Sequence, residues 1–279
     1  MAAIDKPAET IDKSALSHHI LLVEDNRIAL RLLENLIKGA GCEFTSTTDA
    51  EDAFNLVKKD KFDLIITDIG LPGMSGIELA IYIRNWEREN HQKPIPIVGL
   101  TAHCLASSAF ECIEAGMSHV FTKPMTAPVL SDILSDLLIP AKNHELLAPS
   151  EVNVHFSSEP FLTSEEHSLF DLNQGINNLG SMSLLRESLS LMVEELPLAL
   201  SKIQQAYNAG DWVSIGEITH RMRSSAIYCG TKRLQYACQS MQIHLKAEDG
   251  LNLNPLYHEL IEIITHTQQR IKAWLSQHK

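Results

Sequence analysis

The sequence predicts an α/β domain built on a five-stranded parallel sheet, followed by an all-α region folded as an antiparallel four-helix bundle. Three observations support this. Five short apolar runs alternate with amphipathic helical stretches in the first half of the chain. The runs are continuously apolar rather than alternating, as suits strands buried on both faces. In the second half the strand signal disappears and four long helical periods replace it.

The elements follow in order. The strand runs are ILLV (20–23), CEFTS (42–46), DLIIT (63–67), IPIVGLT (95–101) and HVFT (119–122). After the first comes ALRLLENLIKGAG, where Leu30, Leu33 and Ile37 share one helical face and Gly39 and Gly41 mark the end. Further helices are expected to start near Asp49, Gly76, Leu105 and Thr126. Residues 140–162 contain three prolines and scattered serines without a period, which reads as a linker. A flexible linker of that length spans roughly 25 Å and holds the flanking domains together at about millimolar effective concentration. Thr163 and Glu166 then form a capping pattern, and helical periods follow near 181–209, 211–228, 231–247 and 253–276. Gly210–Asp211 and Gly230–Thr231 read as stop-then-start punctuation. Pro197 is expected to bend or break the first long helix. The domain reading is a disordered arm at 1–17, an α/β domain at 18–139, the linker at 140–162 and a helical domain at 163–279.

Composition narrows the function. The chain has 279 residues, room for about two domains. Its 23 Lys and Arg against 35 Asp and Glu give a net charge of −12, which argues against broad contact with nucleic-acid phosphates. The five cysteines, at 42, 104, 112, 229 and 238, contain no CxxC pair and read as reduced thiols of a cytoplasmic protein. No apolar run approaches the roughly 18 residues that cross a bilayer, so membrane insertion is not expected.

In a parallel α/β sheet, chemistry gathers beyond the carboxyl ends of the strands. Glu24 and Asp25 follow the first strand, Asp68 the third, Thr101 ends the fourth, and Lys123 follows the fifth. Three carboxylates converging on one edge repel one another and need a cation. Oxygen-only ligands favour a hard ion, Mg²⁺ above all. Such an edge suits phosphoryl transfer to Asp68, with Lys123 and Thr101 meeting the remaining phosphate oxygens.

The stretches LLVEDN, FDLIITDIGLPGMSGIEL, VGLTAH and AGMSHVFTKPM resemble the receiver domain of response regulators and hybrid sensor kinases, over roughly 18–140. The resemblance implies a flavodoxin-like fold, Mg²⁺ on Glu24, Asp25 and the Gly70 carbonyl, phosphorylation of Asp68, and phosphate binding by Thr101 and Lys123. It also implies a cis Lys123–Pro124 bond. Two positions depart from the family. Val120 stands where receivers often carry an aromatic, and Gly70 presents no side chain near the phosphate.

In DWVSIGEITHRMRSSAIYCG, the residues Trp212, Ile215, Ile218, Met222 and Ala226 mark a buried face. His220 lies about 200° from Ile218 and Met222, so it is expected to face solvent, sharing its side with Glu217, Arg223 and Ser224. An exposed neutral imidazole is nucleophilic, a neighbouring guanidinium can neutralise a phosphoryl group, and small Ser224 and Ser225 leave room for an incoming acidic pocket. HRMRSSAIYCG resembles the histidine phosphotransfer (HPt) motif, over about 165–279, with Arg223 for the usual Lys and Ser224 for the usual Gly. By that resemblance His220 is a phosphoacceptor, and Gln242 occupies a position that often bonds the histidine ring. His167, His244 and His266 lack such a setting.

Together these readings imply a phosphorelay: Asp68 accepts a phosphoryl group from a sensor histidine kinase, and His220 passes it to or from a downstream response regulator. No Gly-rich ATP lid or P-loop motif is found, so the chain is expected to carry phosphate rather than take it from ATP. The starting Met reads as favouring a freestanding protein over the tail of a hybrid kinase. Two other readings differ in class. One is a phosphorylation-controlled binding switch with His220 idle. The other is a phosphate sink that drains a partner through Asp68 to water.

Overall fold

The computed structural model describes residues 18–102, 106–138, 170–247 and 253–278. The arm at 1–17, the linker at 140–162, the Thr163–Glu166 cap, His167 and Cys104 lie outside the described residues. The strands are β1 (His19–Val23), β2 (Glu43–Thr47), β3 (Leu64–Asp68), β4 (Ile97–Thr101) and β5 (His119–Thr122). They pair in parallel in the order β2-β1-β3-β4-β5. Helices α1 (Arg27–Gly39), α2 (Ala50–Lys59), α3 (Gly76–Glu89), α4 (Ala106–Glu114) and α5 (Ala127–Leu138) follow the strands in turn.

Strand residues alternate between two apolar layers, as the twofold side-chain period requires. Leu21, Val23 and Ile65 pack with Val57, Leu79 and Ile83, on the side of α2 and α3. Ile20, Leu22, Leu64 and Ile66 pack with Leu33, Ile37, Leu130 and Ile133, on the side of α1 and α5. Val120 and Phe121 fall on opposite layers.

The helical region contains a short α6 (Leu172–Leu179), then α7 (Met182–Ala209), α8 (Trp212–Cys229), α9 (Lys232–Ala247) and α10 (Asn254–Gln277). Each of the last four packs on the next and α10 closes onto α7, giving the four-helix bundle; α6 lies against α7 and α8. Gly230 ends α8 in the left-handed conformation, and a β-carbon there would collide with the Asp171 carbonyl. Of the bend or break expected at Pro197, the break does not occur: α7 runs through it. A proline removes the hydrogen bond to the carbonyl four residues earlier. Here that carbonyl, of Val193, accepts from Gln268 Nε2 of α10 at 3.2 Å. The bundle thus supplies the missing donor.

Helix α1 is buried on two sides. Leu33 and Ile37 face the sheet, while Ile28, Ala29 and Leu32 join the core of the bundle beside α7 and α8. Ile28 is fully buried and Leu32 nearly so, each contributing about 1.5–3 kcal/mol of transfer free energy. Arg27–Glu195 (3.6 Å) and Arg31–Glu187 (3.3 Å) flank this seam at the surface. As exposed pairs they contribute at most about 1 kcal/mol each.

Candidate functional site

The ends of β1, β3 and β5 bring Glu24, Asp68 and Lys123 together. All three are buried. Lys123 Nζ lies 2.6 Å from Glu24 Oε2 and 2.9 Å from Asp68 Oδ2. Asp68 Oδ1 accepts from the Gly70 N–H at 3.0 Å. Lys123–Pro124 is cis, and the Lys123 N–H donates to the Thr101 carbonyl at 2.8 Å, tying the ends of β4 and β5. Thr101 is half-buried at this edge.

The electrostatics reflect crowding. Burial, reinforced by Asp68, pushes the Asp25 carboxyl up to about 6. Burial likewise raises Glu24, with Lys123 only partly offsetting it. Burial also opposes ionisation of Asp68, yet Lys123 and His220 together hold it below the usual carboxylate range. Burial alone would lower Lys123, but Asp68 and Glu24 outweigh it and raise its value. Glu24, Asp25 and Asp68 each offer an oxygen within 4.8 Å of the others. Both Asp25 oxygens are buried without a hydrogen-bond partner. Three carboxylates facing one ammonium, with two oxygens unsatisfied, fit a divalent cation.

His220 is not on a free face. The β3–α3 loop reaches it at Gly70, and its side chain keeps 31% exposure. Its Nε2 stands 4.0 Å from Asp68 Oδ2. Arg223 and Ser224, expected in solvent, are buried, at 3% and 1% exposure. The correction has a physical cause: from Met222 to Cys229 the bundle covers one side of α8 and the α/β domain covers the other. Arg223 Nη2 donates to the Ala102 carbonyl at 3.4 Å, just beyond β4, and Nη1 donates to Gln242 Oε1 at 3.4 Å. Burial lowers the Arg223 guanidinium to about 10. Gln242, expected from the resemblance to bond the histidine ring, instead accepts from Arg223. His244 bonds its own helix through Ser240, and His266 lies by Glu262 on an exposed face.

Three residues at this junction escaped the sequence reading. Asn26 caps α1, its Oδ1 accepting from Ile28 and Ala29 N–H at 3.0 Å each. Its Nδ2 donates across the junction to the Arg221 carbonyl (2.8 Å) and to Ser225 Oγ (2.6 Å). Arg221 Nη1 lies 3.8 Å from Asp25 Oδ2. Tyr228, two turns beyond His220, is fully buried, and burial raises its phenol despite the attraction of Lys123 nearby. The N-cap preference for Asn ahead of an apolar helical period could have found Asn26, but nothing local marks its partners.

Comparison with known proteins agrees with both halves. A profile described as response regulator receiver domain matches residues 20–135, and one described as Hpt domain matches 187–276. The sensor histidine kinase GacS of Pseudomonas protegens is 30% identical over 249 residues, which are 89% of this chain and 26% of that protein. The signal transduction histidine-protein kinase BarA of Escherichia coli K12 is 24% identical over 254 residues, 91% of this chain and 26% of BarA. The aerobic respiration control sensor protein ArcB of the same organism is 24% identical over 278 residues, 98% of this chain and 34% of ArcB. The chain thus spans about a quarter to a third of the length of these relatives. Among the described residues no helix is long and apolar enough to cross a membrane. With the acidic sheet edge, the histidine helix and both profiles in agreement, residues 20–135 belong to the receiver domain family and residues 187–276 to the Hpt domain family, joined in that order.

Proposed function

We propose that Asp68 receives a phosphoryl group from a sensor histidine kinase and delivers it to His220 of the same chain, from which a separate receiver domain takes it. The observation that carries this reading is the 4.0 Å approach of His220 Nε2 to Asp68 Oδ2. That gap suits a phosphoryl group passing in line between the two atoms.

The residues divide the work. A neutral imidazole attacks phosphorus through Nε2, so the Nε2–P bond forms as the Oδ2–P bond breaks and the electron pair returns to the Asp68 carboxylate. Lys123 stays paired with that carboxylate in both states, stabilising it as leaving group. Thr101 donates to a phosphoryl oxygen, and Arg223 adds positive charge beside the product phosphohistidine. Mg²⁺ held by Glu24, Asp25, Asp68 and the Gly70 carbonyl would neutralise charge on the phosphoryl oxygens. Transfer by positioning and charge neutralisation is what such an array of fixed charges provides.

The test loads the purified chain with phosphoramidate and Mg²⁺ and separates the phosphorylated species by lability. Aspartyl phosphate is lost in base, whereas phosphohistidine survives base and is lost in acid. The expected result is a base-stable label that requires both Asp68 and His220. A label confined to Asp68, with none on His220, would favour the binding switch. Rapid loss to water would favour the phosphate sink.

A further inference from the structure

Gly70 follows the phosphoacceptor by two residues, and its backbone does not explain why it is glycine. It is absent from the glycines with positive φ, so any residue could adopt its conformation. Space does explain it. A β-carbon built at position 70 would enter the imidazole of His220, 2.5 Å from Cε1 and closer still to Nε2. The three nearest atoms all belong to that ring.

We infer that Gly70 is a clearance residue: the missing side chain opens the path by which His220 Nε2 reaches Asp68. This deepens the transfer reading proposed above and rests on it. Ordinary contact with a β-carbon begins near 3.4 Å. Even one methyl group therefore drives the ring back by roughly 1 Å, and a misplacement of that size costs about 100-fold in rate. The ring cannot slide sideways freely, because α8 is fixed in the turn that follows it. Asn26 holds the Arg221 carbonyl and Ser225 Oγ, and Arg223 holds the Ala102 carbonyl. The imidazole must then rotate away from Asp68, lengthening the very gap that transfer crosses. Position 70 thus sets which acceptor Asp68 can serve. With glycine the phosphoryl group has His220 within reach, and with a side chain water becomes the main acceptor.

The experiment compares the full chain with its Gly70→Ala and Gly70→Gln variants, each also made with His220→Gln. Phosphoramidate loads Asp68. The His220→Gln versions give the rate of loss to water, and the difference gives the rate of transfer to His220. The ratio of transfer to hydrolysis is expected to fall about 100-fold for Gly70→Ala, and further for Gly70→Gln. As a second readout, the ring resonances of His220 should move toward those of an exposed histidine in the variants. An unchanged ratio and unchanged ring resonances, in a background where the unaltered chain transfers, would overturn the clearance role alone. Failure of the unaltered chain to label His220 would overturn the transfer reading and this inference with it. Should the variants resist loading at Asp68, the ring resonances decide by themselves.

Discussion

The acidic pocket and the histidine helix are built in different ways. The pocket is complete within one sheet: three strand ends place Glu24, Asp68 and Lys123 in mutual contact. The histidine site is completed only by a second domain. Arg223, Ser224 and Ser225 are buried at the junction, where the Ala102 carbonyl beyond β4 meets Arg223 and Asn26 at the head of α1 meets Ser225. A site made by strand order is preorganised whenever the sheet folds. A site made by docking exists only while the seam between α1 and α8 holds. Perturbing the pocket should therefore damage chemistry and stability together, whereas perturbing the seam should damage transfer more than folding.

The largest expected effect is on the pocket. Lys123→Met leaves Glu24 and Asp68 buried without their cation, at a cost of about 3–5 kcal/mol to stability, read by urea denaturation. Added Mg²⁺ should recover part of it. A variant as stable as the parent would show the carboxylates to be less buried than the structure has them.

Metal binding sharpens the same side. A carboxyl raised to about 6, as Asp25 is, competes for the cation by binding a proton below that pH. Lowering the pH protonates it, so affinity falls as pH falls. Between pH 7 and pH 5, Mg²⁺ affinity measured by calorimetry should drop about tenfold or more, since one bound proton per pH unit is worth about 1.4 kcal/mol. Constant affinity across that range would remove Asp25 from the metal shell.

On the seam, Asn26→Ala removes an N-cap and two cross-domain hydrogen bonds. About 1–2 kcal/mol of stability should be lost, with His220 ring resonances shifting toward exposed values. No shift would mean that docking does not depend on Asn26. The smallest effect lies in the bundle. Gln268→Ala should cost about 1 kcal/mol by leaving the Val193 carbonyl unpaired. In a Pro197→Ala background, where a backbone N–H can fill that role, the cost should shrink toward zero. Equal costs in both backgrounds would break the link between Gln268 and the proline.

Most of the fold could be read from sequence because its signals are local. Continuous apolar runs marked β1, β3 and β4, which are buried, while β2 and β5 are partly exposed edges, and the residues at the ends of β1, β3, β4 and β5 marked the pocket. Glycines at 210 and 230 ended helices where a left-handed residue was needed. Legibility failed where the deciding partner was distant. Pro197 survives inside α7 because of Gln268, 71 positions later by number. His220 was read as solvent-facing because the periodicity of α8 reports only the bundle. It carries no trace of a second surface arriving from residues 26–32 and 70. Arg223 was read as a cation on the histidine's face, but its contact with the Ala102 carbonyl joins two domains and leaves no mark on either local pattern.

The central claim is that Asp68 and His220 of one molecule exchange a phosphoryl group. Its most direct measurement is the rate at which label moves from Asp68 to His220 across a range of protein concentrations, with Asp68→Asn and His220→Gln chains mixed as a control. The account expects a first-order rate independent of concentration and no phosphohistidine in the mixture. A rate proportional to concentration, with full labelling in the mixture, would show that the two groups meet between molecules and would contradict it.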